Sequence, residues 1–142
     1  IYIDYAHTPD AYEKLFSIFS NLCKKETQII TVFGCGGNRD NKKRGKMAAI
    51  AEKYSQFTIV TMDNPRRESI EQINADIVIG FQENNYEVIE DRKTAIINAM
   101  NRMEEKSILL ILGKGRENYQ EIGVEKIPYS DTEIIKSYKI AG

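Results

Sequence analysis

The sequence is poor in several things, and each shortage closes a route. Its two cysteines, Cys23 and Cys35, stand alone and apart. That is too few for a disulfide framework or a zinc site, and it fits a reducing, cytoplasmic setting. His7 is the only histidine, and no metal site is expected. No apolar run approaches the roughly 18 residues that span a bilayer. No signal peptide is visible. Lys and Arg number 20 against 21 Asp and Glu, for a net charge of −1. A nucleic-acid or anionic-membrane partner therefore has no broad electrostatic basis. Neither G-x-G-x-x-G nor a P-loop pattern occurs, and no repeat or low-complexity linker interrupts the chain.

What is there suits one soluble α/β domain. The 142 residues are 42% hydrophobic and 29% charged, enough for a real core. The chain starts inside an apparent strand, Ile1-Tyr2-Ile3, with no Met or leader, and is expected to be a piece of something longer.

Period and punctuation alternate strands with helices. Residues 1–4 read as a strand. Thr8 is placed to cap a helix with Pro9 at its first position, and Ala11, Leu15, Ile18, Phe19 and Leu22 follow at helical spacing. Residues 28–33 form the next strand. A glycine turn, Gly34-Cys35-Gly36-Gly37, leads into a helix with Met47, Ile50, Ala51 and Tyr54 on one face. Residues 57–62 form a strand that ends at Asp63-Asn64-Pro65-Arg66. A helix over about 69–80 follows, with Gly80 as its cap. Residues 86–89 form a strand, 92–104 a helix, and 107–112 the most apolar strand, expected at the centre. Residues 119–127 read as a hairpin around Gly123, bringing an antiparallel strand. Ser130-Asp131 caps a final helix to about Tyr138. The sum is a Rossmann-like, mostly parallel sheet of about six strands, one antiparallel, flanked by helices.

In a parallel sheet, the turns after the strands leave from one edge, where ligands bind. Four turns are polar: Asp4–Asp10, Gly34–Asp40, Asp63–Arg66 and Gly113–Glu117. They offer cations (His7 when charged, Arg39, Arg66, Lys114, Arg116) and anions (Asp4, Asp63, Glu117) together. A site with both signs suits a zwitterion such as an amino acid, since arginine forks take carboxylates and paired acids take an ammonium. Asn-Pro is also an ordinary strand-to-helix turn signal. The glycine turn resembles a phosphate cradle only weakly and equally serves a tight backbone turn. Cys35 reads as a packed residue, His7 alone as a structural histidine, and Lys42-Lys43-Arg44 as a solvated helix face with Arg44 near a phosphate position.

The residue strings themselves are more specific. Asp4-Tyr5-Ala6-His7-Thr8-Pro9-Asp10, Val32-Phe33-Gly34-Cys35-Gly36-Gly37-Asn38-Arg39-Asp40, Asp63-Asn64-Pro65-Arg66, Gly113-Lys114-Gly115-Arg116-Glu117-Asn118-Tyr119-Gln120 and Tyr129-Ser130-Asp131 occur in this order. The series resembles the C-terminal domain of the Mur ligases, of the diaminopimelate-adding MurE type, over essentially all of residues 1–142. The resemblance implies one domain of a three-domain, ATP-dependent ligase of peptidoglycan synthesis. Such a ligase adds meso-diaminopimelate to UDP-MurNAc-L-Ala-D-Glu. ATP and Mg²⁺ are bound mainly by a central domain that this chain lacks. No catalytic residue is expected here, and the isolated domain is expected to be inactive.

Carried over by position, the resemblance implies that Arg39 pairs the substrate carboxylate at the reacting end. Asn64 and Arg66 hold the far carboxylate. Asp63, Glu117 and the Gly113 carbonyl hold the far ammonium. Asp4, His7 and Lys114 are placed for ATP or phosphate contacts. Arg66 disfavours lysine, which has no far carboxylate to pair with it. The sequence departs from the family pattern at Arg116 (usually His), Asn38 (commonly Asp) and Gly45 (usually Pro). A thioether diacid such as lanthionine would satisfy the same charges. Two alternatives stay open: a lysine-adding or recycling Mur-type domain, and a non-catalytic nucleotide-binding Rossmann module.

Overall fold

The structure, a computed structural model, describes residues 1–141. The two most apolar runs pair at its centre. β2 (Gln28–Phe33) and β5 (Ser107–Leu112) lie parallel, with Gln28 opposite Ser107 and Val32 opposite Ile111. β1 (Tyr2–Asp4) flanks β5. β3 (Phe57–Val60) flanks β2, and β4 (Tyr86–Val88) closes the far edge. The order is β1-β5-β2-β3-β4, and every pairing is parallel.

Parallel neighbours need crossovers, so helices cover both faces. On one face lie α1 (Pro9–Leu22), α2 (Lys43–Tyr54) and α3 (Ile70–Val78). Tyr12, Phe16, Met47, Ala51, Ile73 and Ile77 there pack with Phe33, Val60, Leu110 and Leu112. On the other face, α4 (Arg92–Arg102) and α5 (Asp131–Ala141) bring Ala95, Ile96, Ala99 and Ile135 against Ile30, Val32, Ile59, Leu109 and Ile111. Successive residues of one strand thus feed separate cores, as the two-residue period requires. Each fully buried Leu, Ile or Phe contributes roughly 1.5–3 kcal/mol. Thr8, Ser69 and Asp91 cap their helices, each accepting a backbone N–H three residues on. No helix among the described residues is long and apolar enough to cross a membrane.

Four details differ from the sequence expectation. The antiparallel strands β6 (Tyr119–Ile122) and β7 (Glu125–Pro128) form their own two-stranded sheet rather than joining the main one. All four residues of β7 are exposed, so this pair lacks an apolar face to bury in the sheet. α1 packs through Tyr12, Phe16 and Phe19, while Ile18 and Leu22 face solvent. Both stripes have helical spacing, and the aromatic one, which meets Phe33 edge-on at 5.7 Å between Tyr12 and Phe33 centroids, buries more surface. β3 stops at Val60, although Thr61 N–H still donates to the Phe33 carbonyl at 2.9 Å. Gly80 is no left-handed cap. A side chain there would come within 1.9 Å of the Gly45 carbonyl, so it permits close approach of α2 and α3.

Candidate functional site

The four polar turns do leave one edge of the sheet, and they enclose a cleft of about 460 Å³. Arg39, Asp63, Asn64, Arg66, Gly113, Glu117 and His7 all line it. Asp4 and Lys114 do not; with Arg116 they border an adjoining cleft of about 570 Å³.

The two middle turns touch through backbone. Gly37 N–H donates to the Asn64 carbonyl at 2.8 Å. A Cβ at Gly34 would lie 2.0 Å from the Thr61 oxygen, and one at Gly37 1.8 Å from the Pro65 oxygen. The glycines serve this approach. Residues 61–65 cover the side of the turn where Cβ atoms would stand, while Gly34, Cys35 and Gly36 line the cleft.

Arg44 corrects the sequence reading of a solvated helix face. It is 1% exposed. Its Nη1 reaches Glu68 Oε2 at 2.5 Å and Asp76 Oδ2 at 2.9 Å, and its Nη2 donates to the Gly36 carbonyl at 3.0 Å. Burial opposes its charge less than these bonds favour it, so its pKa is raised. The Glu68 carboxyl is held below its usual 4.5, first by the Arg44 hydrogen bond. Arg44 therefore braces the glycine turn from beneath, with no terminal nitrogen left for a phosphate.

Arg66 has a left-handed backbone, φ 53°, a conformation that costs about 1–2 kcal/mol for a side-chain-bearing residue. The hairpin holds it there: Arg66 N–H donates to the Glu121 carbonyl at 2.9 Å, and Gly123 N–H to the Arg66 carbonyl at 2.7 Å. Its guanidinium meets Glu121 through Nε at 2.6 Å and the Gly37 carbonyl through Nη1 at 3.0 Å. Arg39 is exposed and has no hydrogen-bond or ion-pair partner among the described residues. Its Cγ and Arg66 Nη1 both border Gly36.

Asn64 is a hub. Its Oδ1 accepts from Lys114 Nζ at 2.8 Å and from Glu121 N–H at 2.9 Å, while its Nδ2 donates to Glu117 Oε1 at 3.3 Å. Lys114 is fully buried and also meets Glu117 at 3.0 Å and Asp63 at 3.6 Å. A phosphate contact would require its ammonium to leave all three partners. Asp63, also buried, has its carboxyl pushed up by desolvation, against the pull of Arg92 and Lys114. The Glu117 charge raises the Tyr5 and Tyr119 hydroxyls. His7 Nδ1 donates to the Tyr5 carbonyl at 2.9 Å, leaving Nε2 free. Cys35 is buried, its thiol pushed up to about 12 by desolvation, as a packing role requires.

Sequence reasoning missed three supports. Arg92 is buried and grips Asp131 through Nε and Nη2, each at 2.9 Å. It also donates to the Met62 and Leu112 carbonyls at the ends of two site-bearing segments. Burial works against its charge, but the Asp131 bonds outweigh that and raise its pKa. Arg44 and Glu121 are the others. Nothing in helical or strand periodicity separates these charges from surface ones; only their tertiary partners do.

The arrangement provides a mixed-charge cleft: one free guanidinium, a second with unused donors, and two carboxylates beside a buried ammonium. Among the described residues, no three His, Cys, Asp or Glu are arranged to hold a metal ion.

Comparison with known proteins narrows the possibilities. Residues 1–115 match the family model described as Mur ligase, glutamate ligase domain. The UDP-N-acetylmuramoyl-L-alanyl-D-glutamate–2,6-diaminopimelate ligase of Rickettsia conorii is 44% identical over 136 residues, covering 96% of this chain and 28% of that protein. The ligase of the same name from Chlamydia muridarum is 47% identical over 135 residues, with 95% and 28% coverage. A solved structure of a ligase of that name superposes with a TM-score of 0.90 at 38% identity, covering 98% of this chain and 28% of its own. A Mycobacterium tuberculosis folylpolyglutamate synthase, solved with ADP and AMPPCP, shares the fold at 18% identity and a TM-score of 0.61. The chain spans a little over a quarter of the length of the curated relatives it matches.

Proposed function

The chain belongs to the Mur ligase family, and on that premise we propose that it is the amino-acid-binding domain of a three-domain, ATP-dependent ligase. The ligase adds meso-diaminopimelate to UDP-MurNAc-L-Ala-D-Glu in peptidoglycan synthesis. One observation carries this: Arg39, Arg66, Asp63 and Glu117, drawn from three separate turns, line one cleft. These two cations and two anions, with Asp40, Lys43 and Arg44 also in the lining, match an amino acid charged at both ends.

Arg39, which has no hydrogen-bond or ion-pair partner among the described residues, takes the carboxylate beside the reacting amine. Arg66 and the Asn64 amide take the far carboxylate. Asp63, Glu117 and the Gly113 carbonyl take the far ammonium. The residues of this chain bind and aim the amine, and catalysis by the domain is chiefly positioning. ATP activates the acceptor carboxylate with Mg²⁺, and we assign both to the rest of the protein. Lys114, buried and held by Asn64 and Glu117, suits no phosphate here. His7, exposed with Nε2 free, is the group of this chain best placed to meet the nucleotide when the domains close.

The test is direct. The full-length protein is supplied with UDP-MurNAc-L-Ala-D-Glu, ATP, Mg²⁺ and, in turn, meso-diaminopimelate, lanthionine and lysine. A tripeptide product is expected with the two diacids and little with lysine. Preference for lysine moves the assignment to the lysine-adding type. No ATP-dependent product with any of them overturns it.

A further inference from the structure

Glu121 is outside the cleft lining, yet it holds two residues that are inside. Its N–H donates to Asn64 Oδ1, and its carbonyl accepts from Arg66 N–H, both at 2.9 Å. Its carboxylate Oε2 lies 2.6 Å from Arg66 Nε. The other oxygen has only the exposed Lys126 ammonium, at 3.9 Å. Arg66 is otherwise anchored by Nη1 on the Gly37 carbonyl at 3.0 Å. The guanidinium is therefore pinned at two points, and two contacts fix both the plane and the direction of a planar fork. With Glu121 gone, the fork would swing about one remaining bond. The backbone of Arg66 would stay put, because its strain is held by main-chain bonds to the hairpin.

The geometry points to Glu121 as a positioning residue that aims Arg66 at the incoming carboxylate and so sets the preference for a diacid over lysine. This rests on the assignment of Arg66 to the far carboxylate. A guanidinium has five N–H donors. Glu121 and Gly37 engage two of them, and the rest remain for the ligand. The Arg66–Glu121 pair is about three-quarters buried on each side, so the unfolding midpoint is read beside KM to separate aim from folding.

Glu121→Gln and Glu121→Ala are compared with Arg66→Ala in the full-length ligase. We expect the KM for diaminopimelate to rise by roughly 10- to 100-fold in Glu121→Ala, as for a misplaced binding group, and by less in Glu121→Gln, whose amide oxygen still accepts from Arg66 Nε. The KM for ATP and the unfolding midpoint should hold, and the preference for diaminopimelate over lysine should shrink. Glu121→Asp, which keeps the charge, should recover part of the loss. An unchanged or lower KM in the Glu121 variants, beside a raised KM in Arg66→Ala, overturns the positioning role alone. A KM change tracking a fallen unfolding midpoint overturns it too. No effect of Arg66→Ala removes the far-carboxylate assignment, and this inference with it.

Discussion

Arg44 and Arg66 carry the same group to different ends. Arg44 is sealed in by Glu68, Asp76 and the Gly36 carbonyl and serves the turn above it. Arg66 keeps donors open to the cleft. The Arg44 brace has a pH signature. Glu68 has a folded pKa below its usual 4.5. An acid shifted in that direction adds stability above the unfolded value, and loses it as pH falls through the folded one. Glu68→Gln should therefore be less stable than the parent protein at pH 7, with the gap narrowing toward pH 3. Denaturant titrations at both pH values measure this, and a constant gap would mean that the charge contributes nothing. Asp63 has the opposite sign. Its raised pKa makes its ionised form a cost to folding that grows as pH rises from the unfolded value to the raised folded one and is constant above it, which is the expected mark of a carboxylate kept for binding rather than for stability.

At the scale of elements, the β2–α2 and β3–α3 turns form one unit because their backbones touch. Gly37→Ala puts a carbon where the Pro65 oxygen lies. Overpacking of this kind costs roughly 1–3 kcal/mol, and it also disturbs the carbonyl that holds Arg66. The unfolding midpoint and the KM for diaminopimelate should both worsen. Thermal unfolding beside steady-state kinetics tests this, and a worsened KM at full stability would contradict it. The elements themselves were legible from sequence. The apolar runs 28–33 and 107–112 could only be inner strands, and Thr8 with Pro9 announced the first helix. Which turns meet at the cleft was legible too, since parallel strands send their following turns to one edge, although Asp4 and Lys114 lie outside its lining. The supports were not. The exchange of Ile18 for Tyr12 in the core depends on Phe33, which lies in another segment. The burial of Arg44 depends on acids at 68 and 76. Pairings this distant leave no local period.

For the whole molecule, the chain is about a quarter of its relatives, and the proposed activity needs the remainder. The 142-residue chain alone should form no tripeptide from ATP, diaminopimelate and the UDP-linked acceptor. A turnover assay on it that yields product would place the catalytic machinery in this domain after all. The Arg92–Asp131 pair ties this domain's last helix to the floor of the cleft. Breaking one partner of a buried ion pair costs about 3–5 kcal/mol.

The same pair bears on how the protein is made. Asp131 leaves the ribosome 39 residues after Arg92, and until then the guanidinium lacks the carboxylate that grips it at two points. The Met62 and Leu112 carbonyls accept from the same guanidinium, so the two strand ends next to Asp63 and Gly113 take their final packing only once Asp131 is there to balance that charge.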